Sequence, residues 1–391
     1  MTSTTSPVLT GAFLRAALTN FFFFASLHCF FLLPLYIQQL GGTEAQIGLI
    51  MGAYSASAIF CQPLVGAWVD RIGRRPFMLL GAGLVALSAV AFSKAGSTAV
   101  FVFLRVLQGI GFSAFFVANY TLIVDLVPPE RRGWALGIFG ISGLLSTSVA
   151  PLAGEWVIRG LGYPTFFALA TLLALVALVL AWPVRDPRRV IVASGGGVAA
   201  IREGAGELFR LPMAVAFAFG LGVGTFFTFL PTFAELLGVR NLALFYTGYA
   251  GSGMLVRAVG GELIDRLGRR RVIVPSLFLQ AAGGAILASL AFLVGAHTPV
   301  PVLPFLFLAG FVAGGAHGFL YPALTALLMD QTREARRGSV VGIFSSVILT
   351  GSAVGAMVFG YVSHGFGYGV MWSALTSLLA VGFVASFRLR P

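Results

Sequence analysis

Apolar residues arrive in twelve runs, at about 13–38, 44–68, 76–94, 98–124, 134–156, 163–183, 212–236, 243–264, 272–294, 301–328, 339–362 and 369–386. Most are near the roughly 20 residues that a helix needs to cross a bilayer. No other feature limits the fold so tightly. A run of that length and character offers water nothing to hydrogen-bond, and lipid admits only structures whose backbone groups are satisfied internally. Composition agrees: 58% of the 391 residues are hydrophobic and only 10% are charged. The expectation is an all-α polytopic membrane protein with twelve transmembrane helices. The opening MTSTTSPVLTG lacks the basic region of a secretory signal, and the run from Phe13 to Ile37 is too long for a signal core. It is read as a retained span.

The net charge of +12 suggests nucleic acid only if the basic residues form a patch, and here they punctuate the gaps between spans. No nucleic-acid partner is expected. With the N-terminus in the cytoplasm, twenty of the 25 Lys and Arg fall on the cytoplasmic side: Arg15, the loops after spans 2, 4, 8 and 10, the central connection and the C-terminal tail. Lys94, Arg159 and Arg240 fall opposite, and Arg105 and Arg257 lie within spans. That bias places both termini in the cytoplasm.

The chain repeats itself. GAWVDRIGRRP at 66–76 returns as GELIDRLGRRR at 261–271, and DLVPPERRGWALGIF at 125–139 returns as DQTREARRGSVVGIF at 330–344. Leu33-Pro34 in span 1 likewise matches Leu230-Pro231 in span 7. The expected organisation is a six-helix bundle over 1–183, a cytoplasmic linker over 184–211 and a second six-helix bundle over 212–391. Two duplicated bundles joined by a linker suit a transporter, because they can rock about a site between them.

GAWVDRIGRRP and GELIDRLGRRR resemble motif A of the major facilitator superfamily, found after spans 2 and 8. Arg105, Gln108 and Gly109 look like its motif B. Gly137, Pro151 and Gly154 match an antiporter motif C in which Ser146, Ala150 and Glu155 replace glycines. The resemblance is to the bacterial drug:proton antiporter-like members. It implies two pseudo-symmetric bundles, spans 1, 4, 7 and 10 around a central site, alternating access, and a bacterial inner-membrane location. It also implies that motif A shuts the cytoplasmic side. The gate residues would be Asp70, Arg71, Gly73 and Arg74 with Asp125, and Asp265, Arg266, Gly268 and Arg269 with Asp330. Arg257, two turns before Asp265, is read with this latch.

Substrate-binding candidates follow from spacing. Arg105, Gln108, Phe112, Phe115 and Asn119 recur every three or four residues on span 4, and Asn20, Phe24 and His28 do so on span 1. His317 and Tyr321 lie on span 10. An arginine within a span costs at least about 2.5 kcal/mol on insertion scales, so Arg105 is expected to face protein or water and to bind an anionic group or tune a proton site. No acid is central on span 1, 4, 7 or 10. The proton-coupling candidates are therefore His28, Arg105, Glu155, Glu235 and His317. The aromatic content suggests amphiphilic or drug-like solutes, exported by proton antiport; the alternative is a uniporter or symporter for an anionic metabolite, metallophore or lipid-like solute held by Arg105. No HExxH, assignable Ser/His/Asp set or Walker A loop is present, and Cys29 and Cys61 have no metal spacing. No enzymatic activity, cofactor or metal is expected. The expected partners are a small-molecule substrate, protons and lipid, with the protein monomeric.

Overall fold

The computed structural model describes residues 10–128, 131–185, 207–239, 242–259, 261–330 and 337–389. Residues 186–206 of the expected linker lie outside them. The helices are α1 (Gly11–Cys29), α2 (Leu33–Gln39), α3 (Glu44–Ile72), α4 (Arg74–Phe92), α5 (Thr98–Leu126) and α6 (Arg132–Ala181), then α7 (Glu207–Leu236), α8 (Ala243–Val259), α9 (Gly261–Leu267), α10 (Arg269–Gly295), α11 (Val302–Asp330) and α12 (Arg337–Ser386).

Local chemistry sets the ends. Thr10 accepts from the Phe13 N–H to cap α1, and Thr43 and Gln46 form a reciprocal capping box at α3. Pro34 has no N–H, and its ring crowds the carbonyl four residues back at Phe30. The first span accordingly breaks into α1, a 3-10 turn at Phe30–Leu32, and α2. In α7 the equivalent Pro231 is carried within an unbroken helix.

Nine helices among the described residues are long and apolar enough to cross a membrane. Twelve spans emerge because three of the expected ones are hidden by helix boundaries. The 50-residue helices α6 and α12 would each measure about 75 Å at 1.5 Å per residue, over twice the hydrocarbon thickness. Each bends back at a glycine outside helical geometry: Gly162 at φ 80°, ψ 176° and Gly367 at φ 79°, ψ 171°. The eighth span is shared between the 17-residue α8 and the short α9.

The packing has two-fold pseudo-symmetry. Within the first half α1 packs on α6, α3 and α4 on α5, and α4 on α6. Within the second, α7 packs on α12, α8 and α10 on α11, and α10 on α12. Between halves, α3 meets α12 and α6 meets α8, which are equivalent pairs. Large apolar side chains such as Phe60, Trp156, Val179 and Phe366 point outward, as a lipid-facing surface requires.

The buried core divides unevenly along the membrane normal. Away from the arginine-rich loops, one continuous core joins both halves, with Phe30, Leu33, Phe101, Phe229, Tyr246 and Trp372 among its members. Towards those loops the core separates in two. One part, around Phe77, Met78 and Leu122, belongs to the first half; the other, around Ile273, Leu324 and Leu327, belongs to the second. The core is continuous across the halves at this far face and divided between them towards the basic face.

Candidate functional site

The far face is closed by side chains from both halves. Phe31 stacks on Phe227 at 4.5 Å and on Tyr246 at 5.6 Å. Beside this stack Glu155 of α6, which is buried, accepts from the Leu242 backbone N–H at 3.2 Å, just before α8 begins. Arg159 donates to the same carboxylate oxygen from Nε and Nη2 at 3.1 and 2.9 Å. The carboxylate thus sits against the positive end of a helix in the opposite half. At the α3–α12 contact, His364 Nδ1 lies 3.5 Å from Glu44, and Ser55 meets Ser352 at 3.3 Å deeper in.

Below this closure lies Arg105, only 5% exposed. Its Nη1 donates to Gln108 Oε1 at 2.8 Å, and its Cζ lies 4.7 Å from the centroid of the Tyr54 ring. The Arg105 Nε and Gln108 Nε2 are buried without a hydrogen-bond partner. Among the described residues no carboxylate pairs with this guanidinium.

From Tyr54 an aromatic row descends towards the basic face. Tyr54 meets Phe112 at 5.4 Å, Phe112 stacks on Phe116 at 5.3 Å, and Phe116 meets Tyr120 at 5.9 Å. Spacing of four residues keeps Phe112, Phe116 and Tyr120 on one face of α5. Phe24 joins from α1, 6.0 Å from Phe112 and 5.4 Å from the ring of His28. All of these rings are half-buried.

The expected span 4 face is therefore split. Arg105, Gln108 and Phe112 lie together along this row with Tyr54. Phe115 is fully buried and stacks on Phe23 at 3.7 Å within the first half. Asn119 donates to the Ala16 carbonyl and to Asn20, while Asn20 donates to Ser142 at 2.9 Å, so both amides join helices within that half. The reason is geometric: a stripe alternating three and four residues follows the seam against a neighbouring helix, here α1, and leaves the cleft to the row one position on. Phe116 and Tyr120 were missed, although their strict four-residue spacing from Phe112 was visible in the sequence.

His28 sits between Phe24 and Phe31, with Nδ1 2.8 Å from Ser146 Oγ. The Ser146 hydroxyl donates to the Gly143 carbonyl at 2.7 Å, so the shared proton belongs on Nδ1 and the Nε2 lone pair remains free to accept. His317 Nδ1 lies 2.6 Å from the Tyr249 hydroxyl in the second half. Tyr321 is one turn further along α11 and packs on Phe344 at 5.6 Å. Glu235 is exposed at the end of α7 near the far face, away from both histidines.

At the basic face Arg74 pairs with Asp125 at 2.8 Å and Arg269 with Asp330 at 3.2 Å. Each pair joins two helices of one half, α4 to α5 and α10 to α11. Gly73 and Gly268, at φ 128° and 86°, make the one-residue turns that bring the arginines round. Arg71 and Arg266 are exposed. The side chains of Asp70 and Asp265 lie outside the described residues. The Arg257 guanidinium crosses to Gly140 of α6, in the other half.

A family model described as Major Facilitator Superfamily matches residues 16–301 and 240–391. The chain belongs to the major facilitator superfamily. Among curated relatives, "Multidrug resistance protein 2" of Bacillus subtilis (strain 168) is 24% identical over 377 residues, covering 91% of this chain and 90% of that protein. "Multi-drug resistance efflux pump PmrA" of Streptococcus pneumoniae serotype 4 is 27% identical over 376 residues with the same coverage. Among solved structures, the nucleoside transporter NupG aligns with a TM-score of 0.80 at 14% identity, covering 97% of this chain and all of its own. The human organic anion transporter MFSD10 aligns at 0.67 and 19%, covering 96% and 98%. This superfamily transporter is thus a multi-pass membrane protein with the fold of those two structures.

Proposed function

We propose that this transporter exports small amphiphilic or drug-like solutes by alternating access and proton antiport. It works as a monomer in a bacterial inner membrane, with its basic face and both termini in the cytoplasm. The observation that carries the reading is the aromatic row ending at Arg105, in a molecule whose core is continuous at one face and divided at the other. Such a surface suits flat apolar bodies and offers few fixed polar contacts, which is how a site accepts varied solutes. The printed names of the multidrug relatives support the same class. His28 and His317 are the proton carriers in this reading, each anchored through Nδ1 with Nε2 facing away from its partner.

Proton release tests the coupling. Purified protein in weakly buffered detergent should acidify the medium when an exported solute binds, and His28→Gln or His317→Gln should abolish the release while leaving solute binding intact. Binding with no pH change removes antiport. A second reading, a uniporter or symporter for an anionic metabolite, metallophore or lipid-like solute, is favoured because no carboxylate among the described residues pairs with Arg105. Solute counterflow in proteoliposomes that is indifferent to an imposed pH gradient would select a uniporter; influx driven by an inward proton or sodium gradient would select a symporter.

A further inference from the structure

Arg257 lies on α8, in the second half, and its guanidinium spans the cleft to the backbone of Gly140 in the first. A Cβ at position 140 would collide with its Nη1. The Arg257 Nε is buried without a hydrogen-bond partner, and no carboxylate pairs with the group among the described residues. Tyr249 lies two turns before Arg257 on α8 with its hydroxyl 2.6 Å from His317 Nδ1, Tyr321 follows His317 by one turn on α11, and Tyr120 comes from α5. Tyr120 is also the last ring of the aromatic row that starts at Tyr54 under Arg105.

The row thus runs between two arginines, neither of which pairs with a carboxylate among the described residues. The described acids with printed ion pairs are engaged elsewhere: Asp125 with Arg74, Asp330 with Arg269, Glu155 with Arg159 and Glu44 with His364. We propose that Arg257, with Tyr120, Tyr249 and Tyr321, forms a second binding station, at the end of the row nearer the basic face, for the acidic head group of an amphiphilic solute. A carboxylate, sulfonate or phosphate matches the guanidinium fork, and the phenols donate to its remaining oxygens. The apolar body lies along Tyr120, Phe116 and Phe112. Arg105 waits at the other end of the row, so the head group has a second partner as the solute advances. Because the station draws on both halves, filling it pulls them together at the face where their cores are separate. The proposal rests on the export reading and narrows its substrates to acidic amphiphiles, with lipophilic cations disfavoured.

The test is calorimetric titration of the full-length protein in neutral detergent with a matched pair of probes, naphthalene-2-sulfonate and the uncharged naphthalene-2-sulfonamide. Wild type should bind the sulfonate at least ten-fold more tightly. Arg257→Gln should lose that preference while still binding the sulfonamide, which shows the fold intact. Gly140→Ala keeps the charge but displaces the flexible end of Arg257, and should also lose the preference. Absence of sulfonate binding by wild type, equal binding of the two probes, or a preference that survives Arg257→Gln overturns the station. Loss of preference in Arg105→Gln alone would assign the anion to the other end of the row and likewise refute it. Efflux of multidrug substrates from cells, measured separately, tests the export reading: efflux without anion preference removes only the station, and anion preference without efflux removes only export.

Discussion

Arg105 is held in the membrane by little: one neutral acceptor on Gln108 and the face of Tyr54. A charge inside a span costs at least about 2.5 kcal/mol on insertion scales, and a cation over an exposed ring returns only about 0.5–1 kcal/mol, rising to about 2 when desolvated. Folding alone gains nothing from keeping it. Stability and function should therefore separate at this residue. Arg105→Met, which fills similar space without charge, is expected to unfold in detergent at the same temperature as wild type or higher, while transport falls at least ten-fold. Scanning fluorimetry and an efflux assay on the same variant check it. A large drop in unfolding temperature would instead make Arg105 a structural residue, bonded more firmly than its two contacts indicate.

Among the helices, the sharpest local demands fall on the glycines that fold α6 and α12 back on themselves. Gly162 and Gly367 sit near φ 80°, where a side chain brings its Cβ against its own backbone. Gly162→Ala and Gly367→Ala should each destabilise by about 1–3 kcal/mol, because ψ of 176° and 171° at this φ is essentially open to glycine alone. Gly137→Ala, in the body of α6 with nothing within 4 Å of an added Cβ, should instead be neutral or stabilising by up to about 1 kcal/mol. Thermal unfolding of the three variants in one detergent decides between them, and equal losses would mean that the kinks are not strained. The sequence made these elements legible because length and apolarity alone fix a span, and because the DRxGRR loops place Gly73 and Gly268 at matching turns. It did not show that α6 would run from one span into the next, since a glycine reads alike in a loop or at a kink. Nor did it separate the buried Phe115 from the half-buried Phe116: α5 carries aromatic rings on adjoining faces, and only the packing of α1 against it decides which face is sealed.

For the whole molecule the question is what holds the far face shut while the core stays divided towards the basic face. The aromatic stack of Phe31, Phe227 and Tyr246 supplies area, but apolar contacts between halves compete with equally apolar lipid and so discriminate weakly between states. Glu155 is specific. Its carboxylate takes the Leu242 N–H at the start of α8, a donor that helix geometry leaves unsatisfied, and Arg159 steers it there. A hydrogen bond to a charged group contributes about 1.5–3 kcal/mol, enough to shift a two-state balance by about ten-fold or more. Glu155→Ala should therefore raise the population opened at the far face, whereas Glu155→Gln, which keeps an acceptor oxygen, should do so less. Spin labels at the exposed positions Gln39 and Leu236, in separate halves near that face, would read the change as a second, longer distance in pulsed dipolar spectra. An unchanged distance distribution in Glu155→Ala would leave closure to the aromatic stack alone. In that case the acidic residue at a motif C glycine position would be a passenger in the gate, and the Arg159 pair a surface contact of little consequence.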